Sequence, residues 1–366
     1  MKKSLLFFIP SIEGGGVEKN LFIVANHLAK KNDKIQLITA STNFKYKFNN
    51  KINIIGPKRN FINYGRKIKY IICLYILFRE ILRNNHKVVF SFQANIYCII
   101  LCKIFSIKVI SRSNSSPSGW STNFLKKFLF KILLNFADKI MVNSLEFKKE
   151  LKKKFNVNSI CIYNPLNLIE IKNLSKKKVK QIYSKNSQFK IMNIGRFTDQ
   201  KDQITLIRAI NEIKNKINFE LIIMGKGKNK KILENLIKDF KLSKKVKLLN
   251  FKKNPYPFLK QSNLFILSSK YEGLPNVLLE SLALKKFIIS SKCPTGPSEI
   301  LDNGKGGLLF KCEKYKELAK QILYFSNNQK TCNSKLKYAL KRMSRFDYKI
   351  NLLKYEKLIN PYLKIT

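Results

Sequence analysis

The sequence contains few of the residues on which metal sites and acid–base sites depend. It has two histidines, His27 and His86, and 22 acidic residues against 72 lysines and arginines in 366 residues. Its seven cysteines form no Cys-x-x-Cys pair. This pattern argues against a zinc site and against a disulfide scaffold, and it fits a reducing compartment. We therefore expect no metal and no other cofactor.

Long hydrophobic runs are also missing. The longest, "YIICLYILF" at 70–78, is much shorter than a membrane span. The start, "MKKSLLFFIP", is basic, but its short apolar run is more typical of a first strand than of a signal peptide. We expect a cytoplasmic protein that is at most peripheral, at the inner face of the cytoplasmic membrane.

The charge is strongly one-sided, with a formal value of +50. Such a charge indicates an anionic partner, which could be nucleic acid, an acidic membrane surface or a phosphorylated substrate. The alternative is composition bias, because lysine is spread over the whole chain beside abundant Asn, Ile, Phe and Tyr. Nucleic acid is disfavoured, since no RNP-like basic–aromatic motif is present.

Short apolar runs alternate with helix-length segments in both halves of the chain, which predicts βαβ units on parallel sheets. The segment "IYNPLN" at 162–167 interrupts this alternation. We predict an α/β protein with two Rossmann-like, doubly wound domains, residues 1–165 and 166–344, and a C-terminal helix, 345–366, that packs back on the first. Ligands of such folds bind outside the carboxyl ends of the strands, here in a cleft between the domains.

The stretch "YEGLPNVLLES" begins at Tyr271 and follows the apolar run "NLFILSS". Pro275 suits the first position of a helix, and Gly273 permits close approach of the backbone to a ligand. The helix would then present free backbone N–H groups to an anion such as a diphosphate. These belong to Asn276, Val277 and Leu278.

Two carboxylates flank this anion site, Glu272 before the helix and Glu280 inside it. They are placed to accept hydrogen bonds from hydroxyl groups on either side of a diphosphate, as in a nucleotide-diphosphate sugar. The alternative is that both carboxylates only complement the helix dipole.

Further candidates follow other predicted strands. Arg196 and Lys201 in "NIGRFTDQKD" form a cationic pair suited to a diphosphate, or are ordinary surface charge. Gly225 follows the next strand, in a weaker motif. Gly15 and Gly16 precede the first helix and again leave an open N-terminus, but they lack the spacing of a nicotinamide-binding loop.

The chain resembles the retaining glycosyltransferases of family 4, which have the GT-B fold. The matching motifs occur in the family's order over nearly the whole chain: "GGGVE", "ADKIMVNS", "YNP", "NIGRFTDQKD", "MGKG", "YEGLPNVLLES", "CPTGPSEIL" and "GGLLF". The resemblance implies that Arg196 and Lys201 bind the donor diphosphate, that Glu280 binds ribose, and that Glu272 faces the transferred sugar. We assign Glu272, Arg196 and Lys201 as catalytic.

"CPTGPSEIL" is most similar to transferases that add N-acetylhexosamine or galactose to polyprenyl-diphosphate-linked glycans. Many family members carry a histidine near the transferred sugar, whereas the corresponding segment here, "SRSNSSPSGW", has none. No protein base is therefore assigned, and the departing phosphate takes the acceptor's proton. Acceptor contacts are predicted for Arg112, Asn114 and Glu18. A sugar-nucleotide 2-epimerase of the same fold remains the alternative enzyme.

A membrane contact is predicted for the helix in "STNFLKKFLFKILLN", 121–135. At about 100° per residue, Leu125, Phe128 and Ile132 share a face suited to packing on the sheet. The opposite face interleaves lysines with apolar residues, as at a lipid interface. It holds Lys126, Lys127, Phe130, Lys131 and Leu134. The alternative is that Phe130 and Leu134 pack on a neighbouring helix.

Overall fold

The computed structural model of the chain describes residues 4–363 except 33, 60, 62, 85–87, 115, 118–119 and 121–123. The protein consists of two compact units. Unit 1 contains the residues up to Pro165 together with those from Tyr348 on, and unit 2 runs from Leu166 to Asp347.

Seven short strands form the parallel sheet of unit 1: β1 (Leu5–Phe8), β2 (Ile35–Ile38), β3 (Ile52–Ile55), β4 (Val88–Ser91), β5 (Lys108–Arg112), β6 (Lys139–Val142) and β7 (Ile160–Cys161). Their order is β3-β2-β1-β4-β5-β6-β7. Leu5 lies opposite Ile35 on one side and Val88 on the other. The order reverses between β1 and β4, which is where doubly wound sheets bind ligands.

Six helices cover the two faces of this sheet: α1 (Gly16–Ala29), α2 (Arg66–Arg83), α3 (Asn95–Ile104), α4 (Phe124–Asn135), α5 (Leu145–Phe155) and, numbered last because it ends the chain, α14 (Tyr348–Leu363). Successive side chains of a strand point to opposite faces. Phe7 of β1 therefore packs in the core with α1 and α14. Phe8 packs in the core with α2, α3, α4 and α5. A 3-10 helix covers Thr42–Lys47.

The last helix of unit 1 begins at Tyr348, three residues later than the predicted 345. The preceding residues, Arg342–Phe346, form a 3-10 helix that belongs to unit 2. On α14, Glu356 accepts hydrogen bonds from His27 and Lys31, so His27 serves to hold α14. His86 lies outside the described residues.

Unit 2 has a six-stranded parallel sheet: β8 (Phe189–Ile194), β9 (Phe219–Gly225), β10 (Val246–Asn250), β11 (Leu264–Leu267), β12 (Phe287–Ser291) and β13 (Leu308–Phe310). Their order is β10-β9-β8-β11-β12-β13. Ile191 on β8 lies opposite Leu221 on β9 and Leu264 on β11. The loops that follow β8, β9 and β11 therefore meet at one edge of the sheet.

The helices of unit 2 are α6 (Leu168–Ser175), α7 (Gln203–Ile213), α8 (Lys230–Asp239), α9 (Tyr256–Lys260), α10 (Asn276–Ala283), α11 (Pro297–Ile300), α12 (Tyr315–Asn327) and α13 (Gln329–Lys341). A second 3-10 helix covers Asp302–Gly304. One large cluster, which includes Ile191, Leu206 and Ile322, packs α7 and α12 on the sheet. The prediction of two doubly wound parallel sheets is confirmed.

Candidate active site

The loop between β8 and α7 carries Lys201, whose ammonium lies 2.5 Å from Oε1 of Glu272. Glu272 comes from the loop after β11, so the two side chains are 71 positions apart in the sequence. The exposed fractions of the two side chains are 16% and 8%. In a buried pair each charge depends on the other, since removing one partner leaves an uncompensated charge. The structure thus brings Lys201 and Glu272, both predicted to be catalytic, into direct contact.

The backbone around this pair is held by the neighbouring loops. Ser268 donates a hydrogen bond from its hydroxyl to the carbonyl oxygen of Lys201 at 2.9 Å. Gln200 donates from Nε2 to the carbonyl oxygen of Tyr271 at 3.0 Å, and it accepts from the N–H of Lys270 at 2.8 Å. These bonds fix the position of Lys201 relative to Glu272.

Arg196 lies in the same loop and is exposed. Its Nη2 atom donates to Oε1 of Gln200 at 3.3 Å, while Gln203 donates to its carbonyl oxygen at 3.0 Å. A Cβ atom built on Gly195 would lie 3.5 Å from the side chain of Lys201. Arg196 and Lys201 both lie in the loop between β8 and α7, and two cations on one loop suit a diphosphate.

Gly225 ends β9 directly beside this loop. A Cβ atom at Gly225 would lie 1.9 Å from the carbonyl oxygen of Gly195. Gly227 has a φ of +155°, and its Cβ would come within 2.3 Å of the carbonyl oxygen of Phe197. The structure thus shows a packing role for Gly225, which lets the loops after β8 and β9 touch through their backbones.

Glu280 lies inside α10, and its residue is 6% exposed. The hydroxyl of Tyr256, the first residue of α9, donates to Oε1 of Glu280 at 3.1 Å. This bond orients the carboxylate, whose two oxygens can together accept several hydrogen bonds. The sequence carries no signal for Tyr256, because no motif connects it with Glu280.

The start of α10 differs from the prediction at one residue. The N–H of Leu278 donates to the carbonyl oxygen of Pro275 at 3.0 Å, so this group is not free for an anion. The prediction for Leu278 is therefore wrong, because the first turn of the helix closes with a 3-10 type bond. Asn276 and Val277 form the first turn, and no side chain caps the helix.

The loop "CPTG" after β12 holds the backbone at Glu272 by hydrogen bonds. The hydroxyl of Thr295 donates to the carbonyl oxygens of Glu272 at 2.7 Å and Gly273 at 3.2 Å. Gly296 has a φ of +88°, and a Cβ there would lie 2.1 Å from the carbonyl oxygen of Gly273. The sequence identifies this motif by its family resemblance alone and gives no sign that it supports the backbone of Glu272.

The predictions that Arg112 and Glu18 contact the acceptor are wrong, because both side chains are buried in unit 1. Arg112 is fully buried, with Nη2 2.7 Å from Oδ1 of Asn164 and the guanidinium 4.9 Å from the centre of the Phe92 ring. Burial lowers the pKa of Arg112. The side chain fills the interior of unit 1 and has no surface to offer an acceptor.

Glu18 is 4% exposed and lies beneath the glycine loop rather than on a surface. A Cβ at Gly15 would lie 2.8 Å from Oε2 of Glu18, so the position requires glycine. Burial raises the pKa of the Glu18 carboxyl, which accepts hydrogen bonds from the backbone at Glu13 and Glu18. Gly15 caps α1 and Gly16 begins it. Asn114 is partly exposed and donates to the carbonyl oxygen of Phe92 at 2.9 Å.

Within the described part of the chain, no group of three or more His, Cys, Asp or Glu side chains could hold a metal ion. The candidate groups of unit 2 are thus two cations, two carboxylates and a helix start without a side-chain cap.

Two family models match the chain along almost its whole length. The model described as Glycosyltransferase Family 4 matches residues 14–169, and the model described as Glycosyl transferases group 1 matches residues 175–342. The chain belongs to the family 4 glycosyltransferases. The second match contains every candidate residue of unit 2, from Arg196 to Glu280.

Curated relatives agree with this assignment. The transferase is 27% identical to the Campylobacter jejuni N-acetylgalactosamine-N,N'-diacetylbacillosaminyl-diphospho-undecaprenol 4-alpha-N-acetylgalactosaminyltransferase, over 96% of this chain and 99% of that protein. It is 36% identical to an uncharacterized glycosyltransferase of Methanocaldococcus jannaschii, over 56% of this chain. The latter match spans about half, 53%, of that relative.

Solved structures share the fold at low sequence identity. The Anabaena HepE protein in complex with UDP-glucose aligns with a TM-score of 0.78 at 18% identity, covering 98% of this chain and 99% of that one. Sucrose-phosphate synthase from Thermosynechococcus elongatus aligns with a TM-score of 0.80 at 14% identity and the same coverage. The transferase therefore has the predicted GT-B fold.

The predicted membrane face of α4 is wrong. Leu134 is 2% exposed and packs in the core, and the Phe130 ring lies 5.7 Å from the Trp120 ring in an edge-to-face contact. Leu125, Phe128 and Ile132, assigned to the sheet, are instead 69%, 52% and 41% exposed. Lys127 and Lys131 are exposed, whereas the side chain of Lys126 lies outside the described residues. The helix has two apolar arcs. Trp120, which precedes the helix, packs against the arc that faces inward.

Proposed function

We propose that the transferase moves a sugar from a nucleotide-diphosphate donor, a UDP-N-acetylhexosamine or UDP-hexose, to a lipid-linked or growing surface glycan with retention of configuration. The observation that carries this proposal is the ion pair of Lys201 and Glu272, which joins the loops after β8 and β11. Arg196 lies in the first of these loops, and Glu280 lies in the helix that follows the second. The names of the Campylobacter relatives, which act on undecaprenol-linked glycans, support the acceptor class. We further propose that the reaction takes place at the inner face of the cytoplasmic membrane.

In this proposal the cations act on the departing phosphate. An ammonium has three N–H donors, so Lys201 can hold Glu272 with one and a diphosphate oxygen with another. Arg196 offers its guanidinium fork to the same diphosphate. Fixed positive groups at the position where charge develops stabilise the transition state more than the ground state. The acceptor's hydroxyl proton passes to the departing phosphate oxygen, so no protein base is needed.

The carboxylates bind the two ends of the donor. Glu280, oriented by Tyr256, accepts hydrogen bonds from ribose, and Glu272 accepts them from the transferred sugar. The start of α10, at Asn276 and Val277, faces the diphosphate between them. Gly15 and Gly16 at the start of α1 remain proposed donor contacts, and Asn114 a proposed acceptor contact.

Product analysis tests the proposal. The purified chain is incubated with UDP- and GDP-sugars and short polyprenyl-diphosphate-linked glycans, and products are read by mass spectrometry and anomeric NMR couplings. We expect one added sugar with the anomeric configuration of the donor. Donor epimerisation without transfer would instead indicate the epimerase, and loss of transfer on adding RNA would indicate a nucleic-acid site. The family assignment favours neither alternative.

The role of Glu280 predicts a binding defect. Glu280→Gln should weaken nucleoside-diphosphate binding roughly 10- to 150-fold, because a charge-assisted hydrogen bond of about 1.5–3 kcal/mol to ribose is lost. Tyr256→Phe should weaken it only about 5-fold, since it removes a neutral hydrogen bond of about 1 kcal/mol that orients the carboxylate. Calorimetric titration with UDP and GDP measures both. Unchanged affinity in a folded Glu280→Gln protein would contradict this role.

A further inference from the structure

Three neighbouring helices of unit 1 expose an unusual amount of apolar surface. α3 packs beside both α2 and α4 on one face of the sheet. Half of the 24 exposed large apolar side chains in the described residues lie on these three helices. They are Ile68, Ile71, Tyr75, Phe78, Leu82, Tyr97, Ile100, Ile104, Leu125, Phe128, Leu129 and Ile132.

On α2 these residues form a continuous stripe. Their spacing, from Ile68 through Ile71 and Tyr75 to Leu82, confines them to about 80° of the helix surface at 100° per residue. The core residues of the same helix, Cys73, Leu77 and Ile81, occupy a separate arc. α2 is therefore apolar on two sides, although only one of them packs on the sheet.

The two other helices repeat this arrangement. Tyr97, Ile100 and Ile104 recur at intervals of three and four residues on α3, while Cys98, Ile99 and Cys102 pack inward. On α4 the exposed stripe is Leu125, Phe128, Leu129 and Ile132. Three adjacent helices thus present one apolar stripe each on the side away from the sheet. We call their outer side the α2–α4 face.

The charge of these helices identifies the occupant. The sequences of α2, α3 and α4 contain nine basic residues and a single acid, Glu80. Lys69 is buried, and Arg66 and Lys103 pair with carboxylates. The exposed basic residues include Lys67, Arg79, Arg83, Lys127 and Lys131. Apolar stripes flanked by lysine and arginine are typical of helices that lie in an anionic lipid interface. A second copy of the chain would bring two strongly basic faces together, which like-charge repulsion opposes.

We propose that the α2–α4 face docks on the surface of an anionic lipid bilayer. No helix among the described residues is long and apolar enough to cross a membrane. Docking would instead lay the apolar stripes into the headgroup boundary while the basic side chains meet lipid phosphates. Membrane docking would bring the enzyme to a lipid-linked acceptor. Only this purpose of the docking rests on the proposed function.

Vesicle sedimentation tests this docking. The full chain is mixed with vesicles of phosphatidylcholine alone or with phosphatidylglycerol added. The test variant carries Ile71→Ser, Leu82→Ser, Phe128→Ser and Leu129→Ser. The control carries Ile350→Ser and Leu353→Ser, two comparably exposed positions on α14, on the other face of the same sheet.

We expect the wild type and the control to sediment with anionic vesicles only, and high salt to weaken this binding. The test variant should bind at least about 10-fold more weakly, because apolar insertion and electrostatic attraction act together. Circular dichroism and the melting temperature verify folding. Full binding by the folded test variant would overturn the proposal. So would a dimer of the wild type that the four substitutions split, because the face would then be a contact between copies.

The vesicles contain neither donor nor acceptor, so the result is independent of the proposed reaction. Transfer to a short-chain, water-soluble acceptor should be equal in the wild type and the test variant. Loss of transfer in both proteins, with vesicle binding intact in the wild type, would count against the proposed function alone.

Discussion

Lys201→Ala is expected to lower the rate of sugar transfer roughly 30- to 150-fold, the equivalent of about 2–3 kcal/mol. The reason is the loss of a cation fixed 2.5 Å from Glu272, beside Arg196, where negative charge develops on the departing phosphate. Single-turnover kinetics with saturating donor measures the effect. Because the stabilisation is greatest in the transition state, kcat should fall more than donor affinity.

This substitution also leaves the largely buried Glu272 without its cation, which costs stability. Lys247→Ala is a matched control, since it removes the cation 3.1 Å from Glu220, another carboxylate that is only 9% exposed in unit 2. Both variants should lose thermal stability, but the control should retain transfer within about 2-fold once folded. Near-normal transfer by a folded Lys201→Ala protein would refute the assignment of Lys201 to the diphosphate.

Glu272→Gln is expected to depress transfer roughly 100-fold, a typical effect of removing one fixed polar contact at a reacting centre. Glutamine keeps the size of the side chain but loses the charge that the sugar hydroxyls and Lys201 require. Nucleoside-diphosphate binding should stay within a few-fold of the wild type, because Glu280 and the helix start remain. Transfer rates and calorimetric titrations of the same preparation separate the two effects.

Glu313→Gln is the control for this change. Glu313 also pairs with a lysine at 2.5 Å, Lys270, but with exposed fractions of 59% and 38%, where an ion pair contributes little. It should leave transfer unchanged. The Lys201→Ala, Glu272→Gln double variant should lose less than the product of the single losses, because the residues act as a pair. Equal loss of nucleotide binding in Glu272→Gln and Glu280→Gln would contradict the division of roles.

The fold follows from regular features of the sequence. Apolar runs such as "SLLFFI" and "FELIIM" recur at βαβ spacing, and strands buried on both faces need such runs. The βαβ pattern also places Arg196, Gly225 and Glu272 at one edge of the sheet, because each lies at or just after the end of one of three neighbouring parallel strands. The positions of these residues could therefore be predicted before any contact was known.

The pairings within the site could not be predicted. Lys201 and Glu272 are 71 positions apart, and Tyr256 and Glu280 are 24 apart. No periodicity connects residues on different loops, so only the folded chain brings these atoms together. The hydrogen bond from the Thr295 hydroxyl to the carbonyl oxygen of Glu272 could not be predicted for the same reason.

Two errors concern which way a side chain points. Arg112 ends a strand, where a basic residue usually reaches solvent, but Asn164 and the Phe92 ring hold it inside unit 1. On α4 both arcs of the helix carry apolar residues, so periodicity alone does not select the inner one. Trp120, which precedes the helix, packs against Phe130 and decides the orientation.

The central claim is that the loops after β8 and β11 form the donor site, and hydrogen exchange read by mass spectrometry tests it most directly. Amide exchange is compared with and without saturating UDP, GDP and the other nucleoside diphosphates. One of them should slow exchange in segments 195–202 and 272–280, which bind the diphosphate and ribose, and Glu280→Gln should reduce this protection. Protection confined to segments that contain neither loop, or none with any nucleoside diphosphate, would contradict the account.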